Sequence, residues 1–557
     1  NYNTVVGDEA GTAITTGDGN VFTGYASGDA LTLGSSNTAI GRDSLGADTI
    51  GNHSVAIGRN ALTTQNFTSA TDAYNTAVGS SAGAAVTTGT SNTLIGGLAG
   101  DAITTGSQNT ATGYLALSAD TTGSQNTAYG RSSLVSNTTG ANNTASGYAS
   151  LASNTTGNYN TASGMYSLYV NSTASNNTAM GYESLKANTT GANNVAVGAT
   201  AGLALTTGSQ NVLIGEKAGD ALTTASDNVV MGRSALGSDT LGSKSVAIGR
   251  SALFTQNFTS ATDTYNTAVG YGAGQSVTTG TINTIIGGLA GDALTTGNSN
   301  VALGYGSLSS DTTGDRSTAL GFQALAVQNF TSNTDTYNTA VGYNAGVAVT
   351  TGVQNTLIGG LAGDAVTSGS YNVATGYGAL TAATTAVQNA AFGRLALEDN
   401  TTGANNTAIG NHSLGNNTTA ANNTAVGYFA LGANTTGTFN VAVGTSAGIA
   451  VTTGQFNTFT GGQAGAALTV GGENAAFGYN ALVADTKGSH SVAVGPYALQ
   501  TQNFTSATDT YNTGVGYNAG GLITTGNQNT LIGGLAGDAI TTGNNNVAVG
   551  KSSLSAN

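Results

Sequence analysis

The segment Asn75-Thr76-Ala77-Val78-Gly79 decides the fold, because versions of it return along the whole chain. Its closing glycine, which we call the anchor glycine, occurs 32 times between Gly7 and Gly550. Of the 31 intervals between anchors, 27 are 17 residues long and four are 21 residues long. The long intervals follow Gly58, Gly249, Gly321 and Gly495. A fixed period of this kind is the signature of a repeat architecture, in which each repeat is one structural unit.

The composition of the repeat selects β-structure over helix. Seventeen residues are too few for a repeat built from two helices, which needs about 33, and Gly, Asn and Thr are poor helix formers. A short β-branched run bounded by Asn and Gly, followed by a Thr-Thr-Gly turn, indicates a strand and a turn. The sequence therefore predicts an all-β fold, a β-solenoid (β-roll or β-helix) of about 32 coils. We expect residues 1–557 to form one continuous domain about 150 Å long at ~4.8 Å per coil.

The residues just before the anchor show which side chains face inward. The residue two places before it is apolar in nearly every repeat, as Ala77 and Leu94 are. Because neighbouring strand residues point to opposite faces, the residue directly before the anchor must lie on the outer face. This outer column is nevertheless mostly apolar, and a long exposed apolar row is explained if another chain covers it. We therefore predict self-association as a homo-oligomer or a filament, with an interface that includes Val78, Ile95, Val269, Ile286, Val341 and Ile358.

A second pattern links the fourth and seventh residues after each anchor. Where the fourth is glycine, the seventh is aliphatic, as in Gly83 with Val86. Where the fourth is leucine, the seventh is usually Asn or Asp, as in Leu134 with Asn137. Because overfilling a core costs ~1–3 kcal/mol, we predict that the two positions reach the same interior volume.

The overall composition excludes several classes of function. With 12 Lys and Arg among 557 residues and a net charge of −14, there is no basic patch for phosphates, so we expect no nucleic-acid partner. No run of 18 apolar residues exists, and we expect no membrane insertion by this segment. The absence of cysteine removes disulfides, thiolate metal sites and cysteine nucleophiles.

Sequence patterns that resemble catalytic or metal sites have simpler explanations. Gly79-Ser80-Ser81-Ala82-Gly83 and Gly444-Thr445-Ser446-Ala447-Gly448 match the serine nucleophile pattern, but the repeat itself generates the match. Only three histidines are present, far apart in sequence. A single aspartate per coil does not supply the six to eight oxygens that a hard cation takes; these aspartates are Asp101, Asp220, Asp292, Asp364 and Asp538. We therefore predict a protein that is not an enzyme, with no catalytic residues, no metal site and no cofactor.

Three segments carry a resemblance to known repeats: Ser54-Val55-Ala56-Ile57-Gly58, Ser245-Val246-Ala247-Ile248-Gly249 and Ser491-Val492-Ala493-Val494-Gly495. They resemble the head repeat of trimeric autotransporter adhesins. The more frequent Asn-Thr-Ala-Val-Gly version is similar to repeats of phage tail-fibre-like proteins that end in a self-cleaving chaperone domain. The resemblance covers essentially the whole chain. It implies parallel trimers of β-rolls on a bacterial surface, with host-surface or matrix glycans or proteins as partners.

The four long repeats predict loops at 62–75, 253–266, 325–338 and 499–512. Each contains an Asn-Phe-Thr sequon, which we expect at the outermost point of the loop with an exposed phenylalanine. These loops are candidate glycosylation sites or contact sites through Asn66, Phe67, Asn257, Phe258, Asn329, Phe330, Asn503 and Phe504. A passive loop is the third alternative.

Two polar columns run through the repeat. Paired asparagines such as Asn109, Asn126 and Asn143 predict stacked amide ladders. The threonine column with Thr87 and Thr104 predicts a row of hydroxyls at strand spacing, a feature that ice-binding solenoids use to order water.

The sequence favours an extracellular structural or adhesive fibre, the repeat shaft of a bacterial surface adhesin or filament. A phage tail-fibre shaft on a virion is the first alternative, and an ice- or surface-binding solenoid is the second. Because the chain begins at Asn1 without Met and stops within a repeat at Asn557, we expect it to be part of a longer protein.

Overall fold

A computed structural model describes residues 2–555 and divides the chain into two compact units, 1–279 and 280–557. Each unit is an all-β parallel solenoid, and the described residues contain no helix. The predicted solenoid of about 32 turns with a 17-residue repeat is confirmed. The single continuous stack across both units stays a prediction.

Every coil contributes one three-residue strand that ends directly before an anchor glycine. In the first unit these strands are Thr4–Val6, Val21–Thr23, Thr38–Ile40, Val55–Ile57, Thr76–Val78, Thr93–Ile95, Thr110–Thr112, Thr127–Tyr129, Thr144–Ser146, Thr161–Ser163, Thr178–Met180, Val195–Val197, Val212–Ile214, Val229–Met231, Val246–Ile248 and Thr267–Val269. In the second unit they are Thr284–Ile286, Val301–Leu303, Thr318–Leu320, Thr339–Val341, Thr356–Ile358, Val373–Thr375, Ala390–Phe392, Thr407–Ile409, Thr424–Val426, Val441–Val443, Thr458–Thr460, Ala475–Phe477, Val492–Val494, Thr513–Val515, Thr530–Ile532 and Val547–Val549.

Strands of successive coils pair in parallel and in register, so that like residues stack. Thr76, Ala77 and Val78 pair with Thr93, Leu94 and Ile95, for example. Four further pairs of two-residue strands occur where the long repeats lie: Gly51–Asn52 with Thr71–Asp72, Gly242–Ser243 with Thr262–Asp263, Gly314–Asp315 with Thr334–Asp335, and Gly488–Ser489 with Thr508–Asp509.

The anchor position requires glycine for two reasons. The anchor φ angles lie between 119° and 142° in all coils, a region that residues with a Cβ rarely adopt. In addition, a Cβ on Gly96 would lie 2.5 Å from the carbonyl oxygen of Gly113 in the next coil. The strict recurrence of this glycine therefore follows from the close approach of one coil to the next.

An asparagine four residues before all but four of the anchors forms the predicted amide ladder. Asn92 Oδ1 accepts the backbone N–H of Asn109 at 3.0 Å, and Asn92 Nδ2 donates to the carbonyl oxygen of Gly106 at 3.0 Å. These side chains are fully buried. The amide therefore satisfies backbone groups of the next coil in the buried interior, where an unpaired polar group costs ~1–3 kcal/mol.

The predicted sharing of one interior volume by the fourth and seventh positions is confirmed. A Cβ on Gly83 would lie 2.9 Å from Leu62 Cδ2 and 3.3 Å from Val86 Cγ2, so both groups occupy the space above the glycine. Glycines at the fourth position occur in two consecutive coils, and the two glycines enclose one large side chain. Leu94 lies between Gly83 and Gly100, and a Cβ on either would approach its methyl groups within 2.8 Å.

Candidate functional site

The outer column forms a row of apolar side chains on the surface of each unit. Ile95 is 40% exposed and Ile358 is 38% exposed, while Val78, Val269, Ile286 and Val341 are half-buried. The register places Val78 beside Ile95 and Val341 beside Ile358. The six predicted interface residues therefore lie in rows at strand spacing, four in pairs of adjacent coils.

The position directly after the anchor adds exposed aromatic and arginine side chains in many coils. Arg131 lies 5.9 Å from the ring centroids of both Tyr114 and Tyr148, one coil away on either side. The rings of Tyr305, Phe322 and Tyr343 stack in series, with centroids 5.7 and 5.5 Å apart. Large aromatic groups and arginine are typical of interface hot spots.

The threonine column is more constrained than the sequence suggests. The hydroxyl of Thr87 donates to the carbonyl oxygen of Thr104 at 3.1 Å, and Thr104 does the same to Thr121 at 2.9 Å. These hydroxyls are thus occupied by the protein. The next residue in each coil is exposed instead, as Thr88 and Thr105 are, and the ice-binding alternative depends on that row.

A buried network of four polar side chains joins each long coil to the coil before it. Gln65 Nε2 donates to Asp48 Oδ2 at 2.6 Å and to Ser54 Oγ at 2.8 Å, and Asn75 Nδ2 donates to Gln65 Oε1 at 2.9 Å. All four side chains are fully buried. The same network recurs as Asp239, Ser245, Gln256 and Asn266; as Asp311, Ser317, Gln328 and Asn338; and as Asp485, Ser491, Gln502 and Asn512.

The network replaces a ladder asparagine that is missing from the coil before each long coil. Ser54 stands where other coils have asparagine, and its hydroxyl accepts a hydrogen bond from Gln65 of the next coil. Gln65 bridges the gap, because its amide contacts both Ser54 and Asn75. Burial raises the pKa of Asp48, Asp311 and Asp485, while the glutamine amide and backbone N–H groups partly offset that rise.

The expected exposure of the loop phenylalanines is wrong. Phe67, Phe258, Phe330 and Phe504 are only 5–7% exposed. The backbone N–H of Phe504 donates to Asp485 Oδ1 at 3.2 Å, which directs the segment toward the buried network. Packing the ring inside removes apolar surface from water. The exposed part of each loop is instead the segment that follows, as Thr68 and Ser69 show.

The sequon asparagines are exposed, and their role as glycosylation or contact sites stays a prediction. Asn66 Oδ1 accepts the hydroxyl of Thr49 at 3.1 Å, and the Asn66 backbone N–H donates to the carbonyl oxygen of Thr87 at 3.0 Å. Asn257, Asn329 and Asn503 accept equivalent threonine hydroxyls at 2.9–3.1 Å. Each asparagine therefore lies on the coil surface rather than at an outermost point.

An exposed trio of a basic residue, an aspartate and a tyrosine, which we call the clasp, accompanies every long coil. Lys244 Nζ lies 2.6 Å from Asp263 Oδ2 and 5.3 Å from the ring centroid of Tyr265. The other clasps are Arg316 with Asp335 and Tyr337, His53 with Asp72 and Tyr74, and His490 with Asp509 and Tyr511. The clasp connects the long coil to the coil before it.

The groups that catalysis needs are not brought together. The three histidines contact carboxylates and aromatic rings, as His412 does with Glu398 and Phe429, rather than Ser81 or Ser446. Within residues 2–555, no three His, Asp or Glu side chains could jointly hold a metal ion. The same residues include no helix that is long and apolar enough to span a lipid bilayer.

The recurrent aspartates are more buried than surface turns require. Asp101, Asp292, Asp364 and Asp538 each keep one carboxylate oxygen buried without a hydrogen-bond partner among the described residues. Burial raises the pKa of Asp101, Asp292 and Asp364 accordingly.

No protein-family model matches the chain, and a search of curated proteins likewise finds no match.

The network and the clasp were not predicted from the sequence, because each repeat position was considered by itself. Both belong to a 72-residue module of four coils that occurs at 41–112, 232–303, 304–375 and 478–549. The signal was available in the spacing, since Asp48, Ser54, Gln65 and Asn75 recur at the same separations in every module.

Proposed function

We propose that the chain is a non-enzymatic extracellular fibre segment, the repeat shaft of a surface adhesin or filament, and that copies of it associate through the outer column. The observation that carries this proposal is the outer column of mostly apolar side chains, including Val78 and Ile95, which lie half-buried or exposed at the surface. An apolar row of this length on a free surface favours association or aggregation.

The periodicity of the row favours another copy of the chain as the partner. Like residues repeat at the strand spacing of ~4.8 Å, so a matched surface needs the same axial repeat. A second copy in parallel orientation has that repeat by construction. A parallel homotrimer is the arrangement that the resemblance to adhesin heads implies.

The area available is sufficient for a stable interface. Three-residue strands at ~3.3 Å per residue give a strip about 10 Å wide, and sixteen coils at ~4.8 Å give about 770 Å² on each partner. The total of about 1,500 Å² per unit lies within the range of specific interfaces, roughly 1,200–2,000 Å².

The ladders within each unit support a mechanical role. Each coil is bonded to the next by in-register strands and by buried amides such as Asn92 and Asn109. In a solenoid, stability is a sum of repeat and neighbour terms, so length is gained without new kinds of contact. The tail-fibre shaft alternative uses the same features, and a self-cleaving chaperone domain downstream would favour it.

Substitution in the outer column tests the proposal. We expect the purified chain to assemble, and a Val78→Asp, Val269→Asp, Val341→Asp variant to dissociate while its circular dichroism keeps the β-sheet signal. The matched control, Thr88→Asp, Thr207→Asp, Thr351→Asp, adds the same charge at exposed positions away from the outer column. Light scattering after size-exclusion chromatography gives the mass of each. Unchanged assembly of the valine variant would overturn the proposal.

A further inference from the structure

The exposed surface of the long coils is constant in a way that folding does not require. Gln65, Phe67 and Asn75 are buried, so packing explains their recurrence in all four copies. The exposed threonine, serine, aspartate and tyrosine recur as well; in the first copy they are Thr68, Ser69, Asp72 and Tyr74. Elsewhere the column that holds Tyr74 varies freely and includes Ser91, Gln108, Ile282 and Glu473.

The basic residue of the clasp differs between the four copies, but its chemical role is the same. The basic member is histidine, lysine, arginine and histidine in the four copies, as His53, Lys244, Arg316 and His490. A recent duplication would have copied one residue type. Instead the residue changes while a cation or proton donor remains beside the same aspartate and tyrosine.

Each clasp presents the groups that recognise a sugar. The basic side chain covers one face of the tyrosine ring, while 50–57% of each tyrosine remains exposed. An exposed ring can stack against the C–H face of a pyranose, and a carboxylate with an adjacent donor can pair with vicinal hydroxyls. The exposed hydroxyls of Thr68 and Ser69 belong to the same loop and can extend the contact.

The charges of the clasp and of the whole chain favour a neutral polysaccharide over an anionic one. Each clasp pairs its basic group with at least one carboxylate, and the chain carries a net charge of −14. An anionic polysaccharide would therefore be repelled by the protein as a whole and would find no unpaired cation at the clasp. A neutral polysaccharide meets neither obstacle.

We infer that the four clasps, with their adjoining Thr-Ser segments, are equivalent weak binding sites for a neutral polysaccharide. The inference rests on the proposed adhesive function, to which it adds the ligand class. Long coils lie eleven coils apart in the first unit and ten coils apart in the second, about 53 and 48 Å at ~4.8 Å per coil. One polysaccharide chain can span such distances, so multivalency raises the overall affinity.

Binding of the full chain to insoluble chitin, cellulose and agarose tests this inference. We expect saturable binding to at least one of the three, equal in 0.15 and 0.5 M NaCl because no net charge is involved. The variant Tyr74→Ala, Tyr265→Ala, Tyr337→Ala, Tyr511→Ala should bind about 100-fold more weakly, since multivalent enhancement is lost with the individual sites. A single change should cost less than about tenfold.

The matched control changes exposed aromatic residues of the same column outside the long coils: Tyr159→Ala, Tyr371→Ala, Phe439→Ala, Phe456→Ala. These side chains are 52–63% exposed and have no clasp aspartate. We expect unchanged binding, with melting temperatures of both variants within a few degrees of the parent. Absence of binding to all three polysaccharides, equal loss in the control, or loss in high salt would overturn the inference. Size-exclusion chromatography of the same samples reports assembly separately, so failure of the fibre proposal would be recognised independently.

Discussion

The regular and the long coils use different residues to hydrogen-bond the buried interior of one coil to the next. In a regular coil, one asparagine such as Asn126 connects the interior to the next coil through both ends of its amide. At a long coil, Ser54 interrupts this ladder, and Gln65 together with Asp48 fills the interior instead. The difference shows that the interior needs hydrogen-bonded polar side chains at the ladder position rather than one particular residue there. A longer surface loop is tolerated wherever that requirement is met.

The largest expected effect comes from the element that both coil types share. Gly96→Ala should destabilise the chain by about 4 kcal/mol, because the φ of +135° disfavours alanine and the new Cβ would collide with the Gly113 carbonyl. Gly97→Ala is the adjacent control, since its nearest atom would be 3.6 Å away on the Tyr114 ring. Urea unfolding followed by circular dichroism measures both. Equal stability of the two variants would contradict the close-approach explanation.

Asp120 occupies the same repeat position as Asp48 and is buried in a regular coil, where no glutamine contacts it. Burial raises the pKa of Asp120 to about 7, and hydrogen bonds from Gly123, Asn137 and Asn126 only partly offset it. The unfolded chain releases this proton first, so stability should fall as the pH rises from about 4 to 7. Asp120→Asn should raise stability at pH 7 by about 3 kcal/mol and flatten this pH dependence.

The Asp120 experiment needs measurements across that range, by thermal unfolding at pH 4.5 and pH 7. Asp227→Asn, at an exposed position away from the interior, is the control and should change neither value by more than about 0.5 kcal/mol. A parent chain whose Asp120 contribution grows with pH would contradict the sign of the shift.

A smaller effect is expected within the network of a long coil. Gln256→Met keeps the volume but leaves Asp239 and Asn266 without the amide that contacts both, which should cost about 2 kcal/mol. The double variant Asp239→Leu, Gln256→Met should cost less than the sum of the single changes, because no buried charge is left unpaired. Additive losses in urea unfolding would show that the two side chains do not act as one unit.

Much of the fold could be predicted from the period. Strand geometry explains the anchor glycines and the inward column that contains Ala77. A constant interior volume explains why a coil has either a leucine at the fourth position, such as Leu134, or an aliphatic residue at the seventh, such as Val86. The inward turn of Phe67 could not be predicted, because the four inserted residues have no counterpart in the 17-residue repeat and the alternation rule does not apply to them. Its burial depends on contacts with the network, whose members lie in two different coils.

The clasp illustrates the same limit at the candidate site. Lys244 and Asp263 are 19 residues apart, and only the pairing of two-residue strands brings them to 2.6 Å. When each repeat position is considered by itself, only one charged residue per coil is found. Comparison of the four modules with one another would have revealed the constant aspartate and tyrosine.

The central claim is that copies of the chain meet through the outer column. A cryo-electron microscopy cross-section of the assembled protein at side-chain resolution tests it most directly. We expect more than one chain in each cross-section, with the rows that contain Val78, Val269 and Val341 turned toward one another. A single chain in cross-section with those rows facing solvent would contradict it.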